Sequence, residues 1–252
     1  MFAELKMKLD CSELSYKMSS NLHGFIMETI SSEYAEYLHQ LQVNPFSQCL
    51  IKENNAMIWY IRTYTDEAYN EIVVPLLKVE RFCIKRGKVE IIVKEKQMKT
   101  EQVETIMDEF YHVQANRYIE ISFQTPTAFK SNGKYVFYPD LRLIFNSLMK
   151  RYHVIDPNMS MQDEDTLMQL IDNCEIVRYR LNTIPFSLEG VNITGFQGTI
   201  CIRMKGTDTM ARFVKLLFRI GEYIGVGIKT SLGMGAIKIK EMRGEGCDRS
   251  RN

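Results

Sequence analysis

Four histidines, His23, His39, His112 and His153, are the side chains of this chain best suited to move protons near neutral pH. His39 follows Leu38 at the end of a run with helical periodicity, about 100° round the helix from a residue that would anchor the turn. It can therefore project into a cleft while Leu38 faces a core. A histidine at a helix end can equally be a solvated or capping group, so position alone leaves both readings open. His23 begins an earlier helical run and can face the same cleft, or be a polar residue of a first turn. His112 and His153 have no supporting neighbours and read as surface groups.

The second stretch with chemical content is GVGIKTSLGMG, residues 225–235, in which Gly225, Gly227, Gly233 and Gly235 form the pattern G-h-G-x5-G-h-G. Glycine admits positive φ angles and lets backbone N–H groups approach a ligand. Lys229, Thr230 and Ser231 add a cation and two hydroxyls, so the loop could hold a phosphate backbone. A nucleotide-binding loop needs G-x4-G-K-S/T between a strand and the helix it opens. Here Lys229-Thr230 precedes the second glycine pair and the loop runs from helix to strand, which disfavours ATP. A tight structural connection is the competing reading.

These residues need a frame. Phe2–Leu9 alternates like a half-buried strand, and Ser19-Ser20 and Ser31-Ser32 offer caps for two helices. Strands are expected at Gln48–Lys52 and Ala56–Tyr64, a helix over Asp66–Lys78 despite Pro75, and a strand at Val89–Lys94. The second half repeats the order: a strand at Tyr118–Thr125, a helix opened by Pro139, a short helix over Asp163–Cys174, and strands Ile176–Ser187 and Val191–Lys205 joined through Glu189-Gly190. An amphipathic helix capped by Thr207 or Asp208 follows, with Arg212, Lys215, Arg219 and Glu222 opposite its core face, and then a strand at Ala236–Lys240. The fold class is α+β: tandem ferredoxin-like (RRM-like) β-α-β-β-α-β domains. The division is 1–110, carrying His39, and 111–243, carrying the glycine-rich loop, with 244–252 a disordered tail.

Bulk properties narrow the partners. The net charge of +1 does not suit binding of nucleic acid by overall charge, but Arg203–Arg243 holds nine Lys/Arg against three acids. Such a tract fits a polyanion site or an unevenly charged solvated surface. The six cysteines are scattered, without C-x-x-C or Cys/His clusters, so no zinc site is expected. No apolar run approaches the roughly 18 residues of a membrane span. The expected setting is cytoplasmic.

The loop, following an amphipathic helix, resembles the signature of the repeat-associated RNA-binding superfamily of CRISPR proteins. NLHGFIMETI (21–30), EYLHQLQVNPFS (36–47) and FQTPTAFKSNGKYVFYPDLRLIFNSLMKRY (123–152) resemble, in that order, the sixth numbered Cas family, the endoribonucleases that process precursor CRISPR RNA. GIKTSLGMG is most similar to members accompanying type III systems. The resemblance implies cleavage of repeat RNA with no metal or other cofactor, leaving 2′,3′-cyclic phosphate and 5′-hydroxyl ends. It also implies delivery of the crRNA to an effector complex, and His39 as the family's catalytic histidine; His23, by its position, is the second catalytic candidate. A non-catalytic crRNA-binding subunit of such a complex is the alternative.

Such cleavage needs a base for the 2′-hydroxyl, an acid for the leaving 5′-oxygen and a donor for the charged phosphorane. Some family members carry a tyrosine where Met27 stands and a lysine soon after the histidine, where this chain has Asn44 and Pro45 and no lysine before Lys52. His23, Lys52, Ser47 or backbone groups are left to stabilise the charge, and Tyr37 is expected in the core. RNA contacts are expected from the loop glycines, Lys229, Thr230 and Ser231, from Lys130, Lys134 and Arg142, and from Lys52. Phe129 and Tyr135 can stack on bases or pack in the core.

Overall fold

The computed structural model describes residues 1–15, 18–84, 89–112, 116–155, 163–188 and 190–241. The first half runs β1 (Phe2–Asp10), α1 (Ser19–Thr29), α2 (Ser32–Gln40), β2 (Phe46–Glu53) and β3 (Ala56–Thr63). A helical path follows through α3 (Asp66–Ala68), a π-helical turn at Tyr69–Val73 and α4 (Val74–Leu76), then β4 (Arg81–Ile84) and β5 (Val89–Glu101). The sheet order is β2-β3-β1-β5-β4, with antiparallel neighbours. Removing β4 leaves the ferredoxin-like order; β4 is an added edge strand absent from the sequence-based expectation.

Ser31 caps α2 by accepting from the Tyr34 N–H, as its residue type predicts. The expected Ser19-Ser20 cap does not form: α1 begins at Ser19, and Met18 precedes it with no side-chain cap. Pro75 is accommodated at the start of α4, just after the wide π turn. That turn opens the helix where the proline ring would crowd the preceding carbonyls.

The second half follows α5 (Val103–His112) with β6 (Tyr118–Thr127), the hairpin β7 (Phe129–Ser131) and β8 (Lys134–Val136), α6 (Leu141–Ile155) and α7 (Glu164–Asn173). It ends with β9 (Cys174–Leu188), β10 (Val191–Met204), α8 (Asp208–Ile224) and β11 (Ile237–Glu241). Its sheet order, β11-β6-β10-β9, is again ferredoxin-like. Pro139 does not open α6. Asp140 caps it, its carboxylate accepting from the Leu143 N–H at 2.9 Å, because an acidic side chain satisfies a first-turn donor that proline cannot. Glu189, the expected 244–252 tail and the His153 side chain lie outside the described residues.

The first half has its own core around Leu5, Met7, Trp59 and Ile61, and it also reaches into that of the second. Phe2 and Tyr64 of the first half are buried in the hydrophobic cluster of the second, and the Phe2 and Tyr223 ring centroids are 4.9 Å apart. Helix α5 packs on α8 and buries Ile106 in that cluster, so a division at residue 110 cuts through an element of the second half. The polar stripe of α8 is not free either. Arg219 is bound by Glu101 at 2.7 Å and Glu222 at 3.1 Å, and the Tyr223 hydroxyl donates to Glu101 at 2.7 Å. Arg203 and Lys205 pair with Glu175, and Arg212 with Asp208. Four of the nine cations of the expected basic tract are thus paired in place, three of them with carboxylates brought from other elements.

Candidate functional site

The glycine-rich loop leaves α8 through Gly225 and reaches β11 after Gly235. Gly225, Gly227, Gly233 and Gly235 have φ of 72°, 85°, 115° and 70°, and Lys229 joins them at 56°. All four glycines are also forced by close approach, two of them against other elements. A Cβ on Gly227 would lie 2.3 Å from the Ala128 carbonyl oxygen, and one on Gly233 would lie 2.4 Å from the Ser19 Cβ. The second contact presses the loop against α1, the helix that carries His23.

The inner side of the loop is fully bonded. Arg151 of α6 is buried and donates to the Thr230 hydroxyl at 2.8 Å and to the Gly227 carbonyl at 2.5 Å. Burial lowers its pKa, and the nearby Tyr64 hydroxyl opposes that shift. Ser147 accepts from the Gly227 N–H at 2.8 Å. Asn44, in the segment leaving α2, donates to the Ser231 hydroxyl at 3.0 Å, and its own carbonyl accepts from Tyr64. Thr230 and Ser231 are only 3% and 9% exposed. Their hydroxyls hold the loop together instead of facing solvent as phosphate donors, which leaves Lys229 and backbone groups as its outward chemistry.

His23 lies between the buried Leu22 and Ile26 on α1 and stacks on Phe46 at 5.9 Å with 7° between the rings. Its pKa is lowered to about 4, chiefly by burial. A hydrogen bond with the Ser231 backbone opposes the shift and the nearby His39 adds to it. His23 is therefore a neutral imidazole at pH 7, and its Nδ1 is buried without a hydrogen-bond partner. His39 stands exposed in the last turn of α2, while Tyr34 and Leu38 bury the opposite face. The structure thus brings together His23, His39, Asn44 and the Ser231 turn of the loop.

Other candidates lie elsewhere. Lys52 is exposed near the far end of β2, about 20 Å along the strand from Phe46. Ser47 is buried and donates to the Tyr223 carbonyl at 2.5 Å, so neither it nor Lys52 serves the histidines. Lys130 and Lys134 are exposed on the β7–β8 hairpin, whereas Arg142 is paired with Glu164. Tyr37 is 44% exposed, not in the core, because α2 buries only the Tyr34–Leu38 stripe. Phe129 is core and Tyr135 is exposed; His112 is exposed. Among the described residues no group of three His, Cys, Asp or Glu is placed to hold a metal ion, and no helix is long and apolar enough to cross a membrane.

Sequence reasoning missed Arg151, Ser147 and Tyr64. One signal was available: Arg151 shares the Ile144–Leu148 stripe of α6 at helical spacing, and a charge on an apolar stripe demands a buried partner.

Residues 121–237 match the family model of the CRISPR-associated endoribonuclease Cas6. A protein of that name from Streptococcus thermophilus is 34% identical over 226 residues, which span 90% of this chain and 93% of that one. Another from Mycobacterium tuberculosis is 32% identical over 228 residues, spanning 89% and 72%. Among solved structures, a Cas6 product complex superposes with a TM-score of 0.79 at 21% identity over 95% of this chain and 99% of that one. Thermus thermophilus Cas6 gives 0.72 at 20% identity over 95% and 98%. With a third of its residues shared along most of its length, and the same fold, the chain belongs to the Cas6 family of CRISPR-associated endoribonucleases.

Proposed function

We propose that this protein cuts precursor CRISPR RNA within its repeats, without a metal, with His39 as general acid/base. The observation that carries this reading is the convergence of His39 and His23 beside the Ser231 turn of the glycine-rich loop. A base removes the proton of the 2′-hydroxyl. The 2′-oxygen then attacks the adjacent phosphorus, the bond from phosphorus to the 5′-oxygen breaks, and an acid protonates the leaving oxygen. The products are a 2′,3′-cyclic phosphate and a 5′-hydroxyl.

The environments divide the roles. His23 is held neutral and resists protonation, so at pH 7 it can take part in a hydrogen bond but has no surplus proton to give. His39, exposed at the mouth, is free to approach the RNA. Lys229 and loop N–H groups supply positive potential for the phosphorane in place of the lysine that the α2–β2 segment lacks. Lys130 and Lys134 add phosphate contacts on the β7–β8 hairpin.

The test is incubation of labelled repeat RNA with protein in EDTA. Wild type cuts, His39→Ala cuts about 10²–10⁴-fold more slowly, and a 2′-deoxy nucleotide at the cut site blocks the reaction. Binding without any cutting by wild type would overturn the nuclease reading in favour of a non-catalytic crRNA-binding subunit.

A further inference from the structure

At the Gly227 end of the glycine-rich loop, between α6 and β7, lies a groove of about 180 Å³. Its exposed rim carries Lys130 of β7 and Lys150 of α6, with Asn146 one helical turn before Lys150. Arg151 lines the groove from below, 9% exposed.

The charge of Arg151 is uncompensated. Every partner it has among the described residues is neutral: the Thr230 hydroxyl, the Gly227 carbonyl and the Tyr64 hydroxyl, which burial holds well above its ordinary pKa. These groups satisfy hydrogen bonds but leave a whole positive charge in a desolvated place, which is costly without an anion beside it. Arg62, equally buried, has the Glu4 carboxylate at 2.6 Å, and Arg219 has Glu101 at 2.7 Å. Lys130 and Lys150 bring two further cations to the same opening, and neither has an ion-pair partner among the described residues.

Three converging cations select an anion, and the remaining lining decides its kind. Asn146 offers an amide donor, which suits a phosphate oxygen. Phe129 is only 3% exposed, so it presents no face on which a base could stack. Val43 lines the same groove four residues after His39, a chain distance of at most about 14 Å. An RNA phosphate seated here therefore lies within a few nucleotides of the one that His39 meets.

We propose that this groove is a backbone-phosphate subsite, in which Arg151, Lys130 and Lys150 jointly hold one RNA phosphate close to the cut and so align the strand with His39. This rests on the RNA-cleaving reading above. The role of Arg151 is then double: it fastens the loop from within and meets the RNA through the groove.

The experiment measures binding of the chain's own repeat RNA, made uncleavable by a 2′-deoxy nucleotide at the cut, with each phosphate in turn replaced by a neutral methylphosphonate. Wild type loses about tenfold in affinity at one phosphate near the cut. Lys150→Gln and Lys130→Gln each reduce that penalty to about threefold, at the same phosphate and at no other. Each also lowers the slope of log affinity against log salt by about 1, and Lys150→Arg restores both readouts. Arg151→Met gives the same loss at the same phosphate; where it fails to fold, the two exposed lysines carry the comparison. If wild type cuts repeat RNA but the lysine variants keep the wild-type scan, or change it at two different phosphates, the subsite is wrong and the nuclease reading stands. If wild type binds no repeat RNA at all, both fall.

Discussion

Helices α1 and α2 and the glycine-rich loop meet at one place, yet they are built on opposite terms. Helix α2 is short, capped by one serine, and turns His39 outward from its last turn. The loop is fixed from within: Arg151, Ser147 and Asn44 bond its inner edge, and Gly227 and Gly233 press against neighbouring backbone and side chain. On the proposed reading, the group that meets the RNA is the exposed one, and the part that holds its neighbour in place is buried. The loop is therefore a strut that sets the position of His23.

The largest effect expected from this contrast is kinetic and local. His39→Ala should slow cutting by about 10²–10⁴-fold while changing unfolding free energy by less than about 0.5 kcal/mol, because an exposed helix-end side chain contributes little to packing. Urea denaturation and single-turnover cleavage read the two quantities. A variant that loses stability and activity together would show that α2 is part of the strut. The reverse holds for Arg151→Ala, which leaves the Thr230 hydroxyl and Gly227 carbonyl unpartnered and should cost about 3 kcal/mol of stability. If it unfolds no more easily than wild type, the loop is not held as described.

The partly buried His23 gives the comparison a pH dependence. Its folded pKa of about 4 lies below the unfolded value near 6.5, so the unfolded chain binds more protons between those values. Stability from keeping His23 neutral is complete above pH 6.5 and is lost as pH falls toward 4, by up to about 3 kcal/mol. Denaturant midpoints measured across that range should decline in wild type, with the decline reduced in His23→Phe. An identical decline in the two proteins would place the titrating group elsewhere.

How far these features could be read from the sequence follows the same division. Period-2 alternation in β1 and the apolar spacing in α8 were plain, because each element's burial is written along its own length. Leu38 and His39 were legible for the same reason. Strand β4 and helix α5 were not, since a short edge strand and a seam helix gain their order from partners distant in sequence. The polar stripe of α8 looked solvated, and nothing in its own spacing revealed that Glu101 would cover Arg219. The hydroxyls of Thr230 and Ser231 looked like ligand donors for the same reason: their partners, Arg151 and Asn44, lie far away along the chain.

Asn44 is the residue on which the comparison turns most finely, since it joins the two regions. Its amide donates to Ser231, the residue whose backbone holds His23, while its Oδ1 is buried with no partner. Truncation to alanine removes one hydrogen bond but also relieves that unsatisfied oxygen, so the two changes offset and stability should shift by less than about 1 kcal/mol. Position is not compensated in the same way. With the Ser231 turn loosened, His23 and the loop can drift relative to His39, and a misplacement of about 1 Å near reacting atoms costs as much as 10²-fold in rate. Asn44→Ala should therefore cut about tenfold more slowly with nearly unchanged stability and RNA affinity. A stability loss above about 2 kcal/mol with an unchanged rate would assign Asn44 to the strut alone, and Asn44→Asp, which keeps the shape but removes the donor, should follow the alanine variant in rate.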